Sequence, residues 1–102
     1  LQMDPGLSYG LSEYQEILKH TADAGFTRTQ CVPHGGHLIN LHIVTALRLG
    51  GCEAYPGVFN PFGGYSAQCR VQDGRVFPSD APGFGLEQKT ELAPHIKNLL
   101  GA

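Results

Sequence analysis

Tryptophan is absent from the 102 residues, methionine occurs once, and only three cysteines are present, Cys31, Cys52 and Cys69. An odd number with no C-x-x-C pair offers neither a disulfide framework nor a zinc knuckle, so a reducing, cytoplasmic setting is the expectation. Positive charge is not in excess: seven Lys and Arg stand against nine Asp and Glu, a net charge of −2. The basic residues are scattered, which argues against a nucleic-acid or anionic-lipid binder. Long apolar runs are missing too. The longest, 38–49, is interrupted by Asn40, His42, Thr45 and Arg48, whereas a membrane span wants about 20 apolar residues in succession. The opening LQMDPG has neither the basic start nor the apolar middle of a signal peptide. A chain of this length makes one small domain at most, burying roughly two-thirds of its unfolded surface.

What the chain does have is punctuation, 14 glycines and seven prolines, which cut it into short elements. LQMD reads as the tail of a strand stopped by Pro5-Gly6, and Ser12 with Gln15 three residues on predicts a helix start. Tyr14, Ile17, Leu18, Thr21 and Ala22 recur on one helical face, with Gly25 placed for a left-handed C-terminal cap. FTRTQCV, 26–32, predicts a second strand ended by Pro33. Leu38 to Leu49 predicts a nearly all-apolar helix closed by Gly50-Gly51, and CEAY, 52–55, a short third strand. PGVFNPFGGYS reads as an ordered loop, QCRVQDGRVFP as a hairpin about Asp73-Gly74, and SDAPGFGLEQ as another loop. ELAPHIKNLLG predicts a short helix with Pro94 confined to its first turn.

Strand, helix, strand, helix, strand with short connections implies right-handed units and parallel strands. Two helices cannot cover both faces of a three-stranded parallel sheet, and an eight-stranded barrel typically needs about 250 residues. The pattern is that of an α/β segment belonging to something larger.

In a barrel the chemistry sits at the carboxyl ends of the strands, and those ends here carry Asp4, His34 and Glu53 in turn. Adjacent parallel strands lie about 4.8 Å apart, so Asp4 is expected to accept the Nδ1 proton of His34 and leave Nε2 for a substrate. Glu53 would face the same mouth. Each residue also has a plainer reading: Asp4 as a turn starter, His34 as a loop histidine, Glu53 as a salt-bridge partner.

VPHGGH before an apolar helix, GGCEAYPGVFNPFGG, DGRVFPSDAPGFGLE and the opening DPGLSYGLSEY together resemble the carboxyl-terminal part of an enolase-superfamily barrel, in the mandelate racemase group. The resemblance covers essentially the whole chain. It implies a (β/α)7β TIM-type barrel, incomplete as given, with residues 1–102 forming strands six to eight and the tail. Segment 66–88 would pack toward a separate capping domain, which lies outside the chain together with the earlier strands. By the same resemblance Asp4 and His34 match the family's dyad, and Glu53 matches the acidic residue that donates a hydrogen bond to the substrate carboxylate. The lysine base and the Asp and Glu ligands of a Mg2+ cofactor would precede Leu1.

The implied activity is magnesium-dependent dehydration of an acid sugar, D-tartrate to oxaloacetate and water being the expected case. His34 would protonate the departing oxygen. The implied partners are the hydroxy-acid substrate, the remainder of the barrel with its capping domain, and further copies in a homo-oligomer. A racemase or epimerase of the same superfamily is the alternative within the enzyme class. A non-catalytic α/β interaction or metal-binding module is the alternative outside it.

His37 and Tyr55 are candidates for substrate contact, although His37 equally suits a cap for the helix after it. Cys31, His34 and His37 have the spacing C-x2-H-x2-H but no fourth ligand for a structural zinc. His42 reads as a packed helix residue, Cys52 and Cys69 as core or hairpin residues, and His95 as a surface residue of the tail. Asn60, Phe62 and Tyr65 are placed to form a lid or to pack against a capping domain.

Overall fold

The computed structural model describes residues 1–101. Among them run α1 (Leu11–Asp23), α2 (Leu38–Leu47), β1 (Arg70–Gln72), β2 (Arg75–Phe77) and α3 (Ala93–Leu99), with 3-10 turns at Arg28–Gln30 and Leu86–Gln88. β1 and β2 pair antiparallel, and they are the two strands of one sheet. The chain is thus a small α/β unit and not a barrel.

A reversal through Tyr9 and Gly10, both with positive φ, delivers the chain to α1 with Gly10 as its N-cap and no side-chain cap. Ser12, expected as the cap, therefore lies inside the first turn. The other end follows the sequence closely. Gly25 N–H donates to Ala22 O and Phe26 N–H to Thr21 O, both at 2.9 Å, the paired bonds of a Schellman cap with glycine in the left-handed position. α1 buries Tyr14 and Leu18 against Cys31, Ile43, Val44 and Leu49. Side chains such as Leu18 and Ile43 each contribute about 1.5–3 kcal/mol when fully withdrawn from water.

The three expected parallel strands are not present as ladders. Thr27 and Gln30 bond each other's backbone reciprocally and close a 3-10 turn in the middle of the 26–32 stretch, a local alternative that outcompetes the strand. What survives of the parallel pairing is one rung: Leu1 donates to Gln30 O and Val32 donates to Leu1 O, both at 2.8 Å. Residues 52–55 form no strand either, although a single parallel bridge joins His37 to Gly64.

α2 ends earlier than its glycines suggest. Arg48 takes the left-handed conformation at φ 54° and Leu49 N–H returns to Val44 O at 3.0 Å. Gly50 has a different task, because a Cβ there would lie 2.0 Å from Thr29 O. The hairpin matches expectation: Asp73 and Gly74 have φ 51° and 72°, the two positive values a type I′ turn requires. Pro94 occupies the first turn of α3, where its missing N–H costs nothing. The radius of gyration is 14.3 Å, against about 13 Å for a closely packed chain of this size, so the elements sit around a small core.

Candidate functional site

Two adjacent glycines let the loop after Pro33 approach its neighbours. Gly35 has φ 104°, and a Cβ on it would meet Asn40 Nδ2 at 2.7 Å, Asp4 Oδ2 at 3.1 Å and His37 Nε2 at 3.2 Å. A Cβ on Gly36 would lie 2.6 Å from Tyr55 N and 2.7 Å from Glu53 O. Only glycines allow this packing. The Gly-Gly pair therefore presses the histidine loop onto residues 53–55, and Gly64 N–H donating to Gly36 O at 2.7 Å fixes the far side.

That contact brings His34, Glu53 and Tyr55 together. Glu53 Oε2 accepts from Gly35 N–H at 3.0 Å and from the Tyr55 hydroxyl at 2.7 Å. Tyr55 Oη lies 3.2 Å from His34 Nδ1, and Glu53 Oε2 lies 3.6 Å from the same nitrogen. The Gly35 amide first, then the Tyr55 hydroxyl, hold the Glu53 carboxyl below its usual range, with His34 adding to the effect. In this arrangement Glu53 is ionised, whereas the family resemblance leads one to expect a proton on it when substrate is bound. The Tyr55 hydroxyl is pushed up, chiefly because it donates to that carboxylate.

Asp4 does not complete the expected dyad. Its Oδ1 accepts from Gly6 N–H at 2.6 Å, the bond of a local turn, and its Oδ2 lies beside Gly35. Among the described residues no hydrogen bond or ion pair joins it to His34. With residues 1–4 in no ladder beyond Leu1, nothing holds the Asp4 carboxylate in the register a barrel strand would impose.

His37 carries out one of its two expected tasks through Nδ1: as N-cap of α2, that nitrogen accepts from Asn40 N–H at 3.3 Å. Burial lowers its pKa, the Asp4 charge opposes that, and Lys89 reinforces it. Asn40 is fully buried and donates through Nδ2 to His34 O and Gly35 O, both at 2.8 Å. Sequence reasoning saw Asn40 only as a break in an apolar run. A lone amide in such a run, six residues after a loop histidine, was the available signal.

Asp4, His34, Gly35, His37 and Tyr55 are among the residues lining a cavity of about 530 Å³. Ile39, Phe59, Phe62, Leu92 and Ile96 supply much of its apolar wall. Glu53 reaches it through Tyr55 and Gly35 rather than by facing it. Lys89 was also missed: its side chain is 2% exposed, Nζ donates to Gly63 O, and Glu91 lies 3.9 Å away. It thereby anchors the loop that carries Phe59 and Phe62.

The expected lid is divided. Phe62 lines the cavity beside His95, their ring centroids 5.9 Å apart, but the Tyr65 hydroxyl turns inward to Glu53 O and Cys52 Sγ. Asn60 lines a separate depression with Tyr65 and Glu91. His42 packs edge-on against Phe84. All three cysteines are free thiols, and Cys31 is buried in the core away from the two histidines' hydrogen bonds.

Among the described residues no three His, Cys, Asp or Glu side chains gather to hold a metal ion, so this donor set does not fit a resident Mg2+. No helix among them is long and apolar enough to cross a membrane. No protein-family model matches the chain.

Proposed function

We propose that these residues form part of a dehydratase of the enolase superfamily, in its mandelate racemase group, acting on D-tartrate or a related acid sugar in the cytoplasm. They would make up the last three strands and tail of its barrel. The observation that carries the reading is that His34, Asp4, His37 and Tyr55 line a single cavity, with Glu53 bonded directly behind two of its wall residues. A histidine with one ring nitrogen engaged and the other unpartnered is suited to passing a proton at a bound hydroxy acid.

In this reading a base elsewhere in the polypeptide removes the proton α to a carboxylate. His34, in this step the imidazolium, gives its Nε2 proton to the β-hydroxyl, which leaves as water; the ring is left neutral and the enol so formed tautomerises to oxaloacetate. His37 and Tyr55 contact the substrate. The ligands of magnesium lie outside these residues, and no step is assigned to the metal here.

The polypeptide that carries these residues, supplied with D-tartrate and Mg2+, is expected to release oxaloacetate, read by a coupled reduction with NADH. Absence of keto acid from D-tartrate and from a panel of other acid sugars would overturn the reading. Deuterium entering the α-position without any keto acid would identify the racemase instead. The exposure of Leu7, Tyr9, Phe59, Phe62, Leu99 and Leu100 favours a partner surface under either class. A non-catalytic module would use that surface while turning over nothing.

A further inference from the structure

Proton counting around His34 assigns a positioning task to a pair of residues that the expected dyad leaves out. The Tyr55 hydroxyl has one proton, and two atoms stand within reach of its oxygen: Glu53 Oε2 at 2.7 Å and His34 Nδ1 at 3.2 Å. Glu53 already accepts from the Gly35 amide at 3.0 Å, and an ionised carboxylate can only accept. The shorter, charge-assisted bond takes the Tyr55 proton. Tyr55 Oη is then left with lone pairs toward His34, and Nδ1 must supply the hydrogen. We propose that the Tyr55 and Glu53 pair, and not Asp4, fixes neutral His34 as the Nδ1–H tautomer. Nε2 then stands bare on a side chain that lines the cavity.

The other histidine of the loop is set by the helix after it. His37 Nδ1 accepts from Asn40 N–H at the start of α2, so neutral His37 carries its proton on Nε2. The two histidines of the loop thus hold opposite tautomers, each dictated by a different neighbour. Toward His34, Tyr55 and Glu53 are positioning residues: this task of theirs reaches a substrate through the His34 ring, beside the direct contact read for Tyr55 above. The catalytic consequence rests on the dehydratase reading above, whereas the tautomer is a property of the resting chain and can be read without turnover.

Long-range nitrogen–proton correlation on the polypeptide with 15N-labelled histidine, near pH 8.5 where an ordinary histidine of pKa about 6.5 is neutral, reads each tautomer directly. The His34 signal is identified by its loss in His34→Asn. The expected result is a protonated Nδ1 and bare Nε2 at His34. In Glu53→Ala the Tyr55 proton is released toward His34 Nδ1, so the ratio should invert to Nε2–H. Glu53→Gln restores an acceptor for Tyr55 and should keep Nδ1–H, and Asp4→Ala should leave His34 unchanged.

An Nε2–H tautomer at His34 in the unsubstituted chain overturns the inference even if no variant folds. Inversion in Asp4→Ala but not in Glu53→Ala overturns it as well. A chain with Nδ1–H at His34 and no keto-acid formation supports this inference and overturns the dehydratase reading. Turnover with Nε2–H overturns this inference alone.

Discussion

Residues up to Cys52 and residues beyond it are built on different principles. The first region holds the connected apolar core: Tyr14, Leu18, Cys31, Ile43, Val44 and Leu49, with Met3 and Cys52 packed at its edge. The second contributes Leu92 as its buried large apolar side chain, together with the buried polar residues Ser66 and Lys89. It is tied to the first by polar links, Gly64 N–H to Gly36 O and Gly35 N–H to Glu53 Oε2, and to itself by Tyr65 on Glu53 O and Lys89 on Gly63 O. One region is held by area removed from water, the other by individual bonds whose net worth is about 0.5–1.5 kcal/mol each. The candidate site lies on the boundary, with His34 on the packed side and Tyr55 and Phe59 on the bonded side.

The largest effect should come from the packed side. Leu18→Ala is expected to cost about 2–5 kcal/mol of stability, whereas Phe62→Ala, at a side chain 61% exposed, should stay within about 0.5 kcal/mol. Urea unfolding of the polypeptide that carries these residues checks the pair, and equal losses would erase the contrast between the regions.

Gly36→Ala strikes the boundary itself. With backbone atoms of residues 53–55 only 2.6–2.7 Å from the new Cβ, the loop must back away, at about 1–3 kcal/mol. Turnover should fall further than stability, because His34 separates from Tyr55 and Glu53. Unchanged turnover and an unchanged His34 tautomer in Gly36→Ala would contradict the described packing.

A smaller change of opposite sign is expected at Tyr14, whose buried hydroxyl has no partner among the described residues and whose pKa burial pushes up to about 12. Tyr14→Phe removes an unsatisfied polar group and should raise stability by about 1 kcal/mol. A loss of that size would mean the hydroxyl is satisfied.

The gentlest probe is pH. His37 in the folded chain titrates below its ordinary value of 6.5, so through that window the unfolded chain binds more protons and stability rises with pH. The cap at α2 is fully effective above about pH 6.5 and is lost as pH falls from there through the lower folded value. Amide exchange at Asn40 and Leu41 should quicken over that range while α1 stays protected, and no such difference is expected in His37→Asn, which keeps a capping acceptor without a titration.

Much of the helical framework was legible because helix ends carry local signals. Gly25 closing α1, Pro94 in the first turn of α3 and Asp73-Gly74 in the hairpin all behave as their backbone chemistry demands. The strands were not, because a parallel strand is stabilised by neighbours rather than by its own residues. Without a ladder, the Thr27 and Gln30 side chains turned a β-branched stretch into a 3-10 turn.

At the site, the closeness of His34 and Glu53 was readable from successive strand-like ends, but the hydrogen-bond partner of His34 was not. The expected Asp4 contact presumed a regular strand spacing, and the observed Tyr55 contact depends on how closely Gly36 lets two irregular segments approach. Lys89 gave no warning, since its burial is set by the loop folded over it.

The central claim, that His34 delivers the proton to a leaving hydroxyl, is tested most directly by His34→Asn in the polypeptide that carries these residues, given D-tartrate and Mg2+ in deuterated water. Asparagine keeps a polar side chain of similar reach but cannot act as the acid. Keto-acid formation should fall by at least about 10²-fold, while deuterium continues to enter the α-position through a base that lies elsewhere. Keto acid formed at near the parental rate would contradict the account.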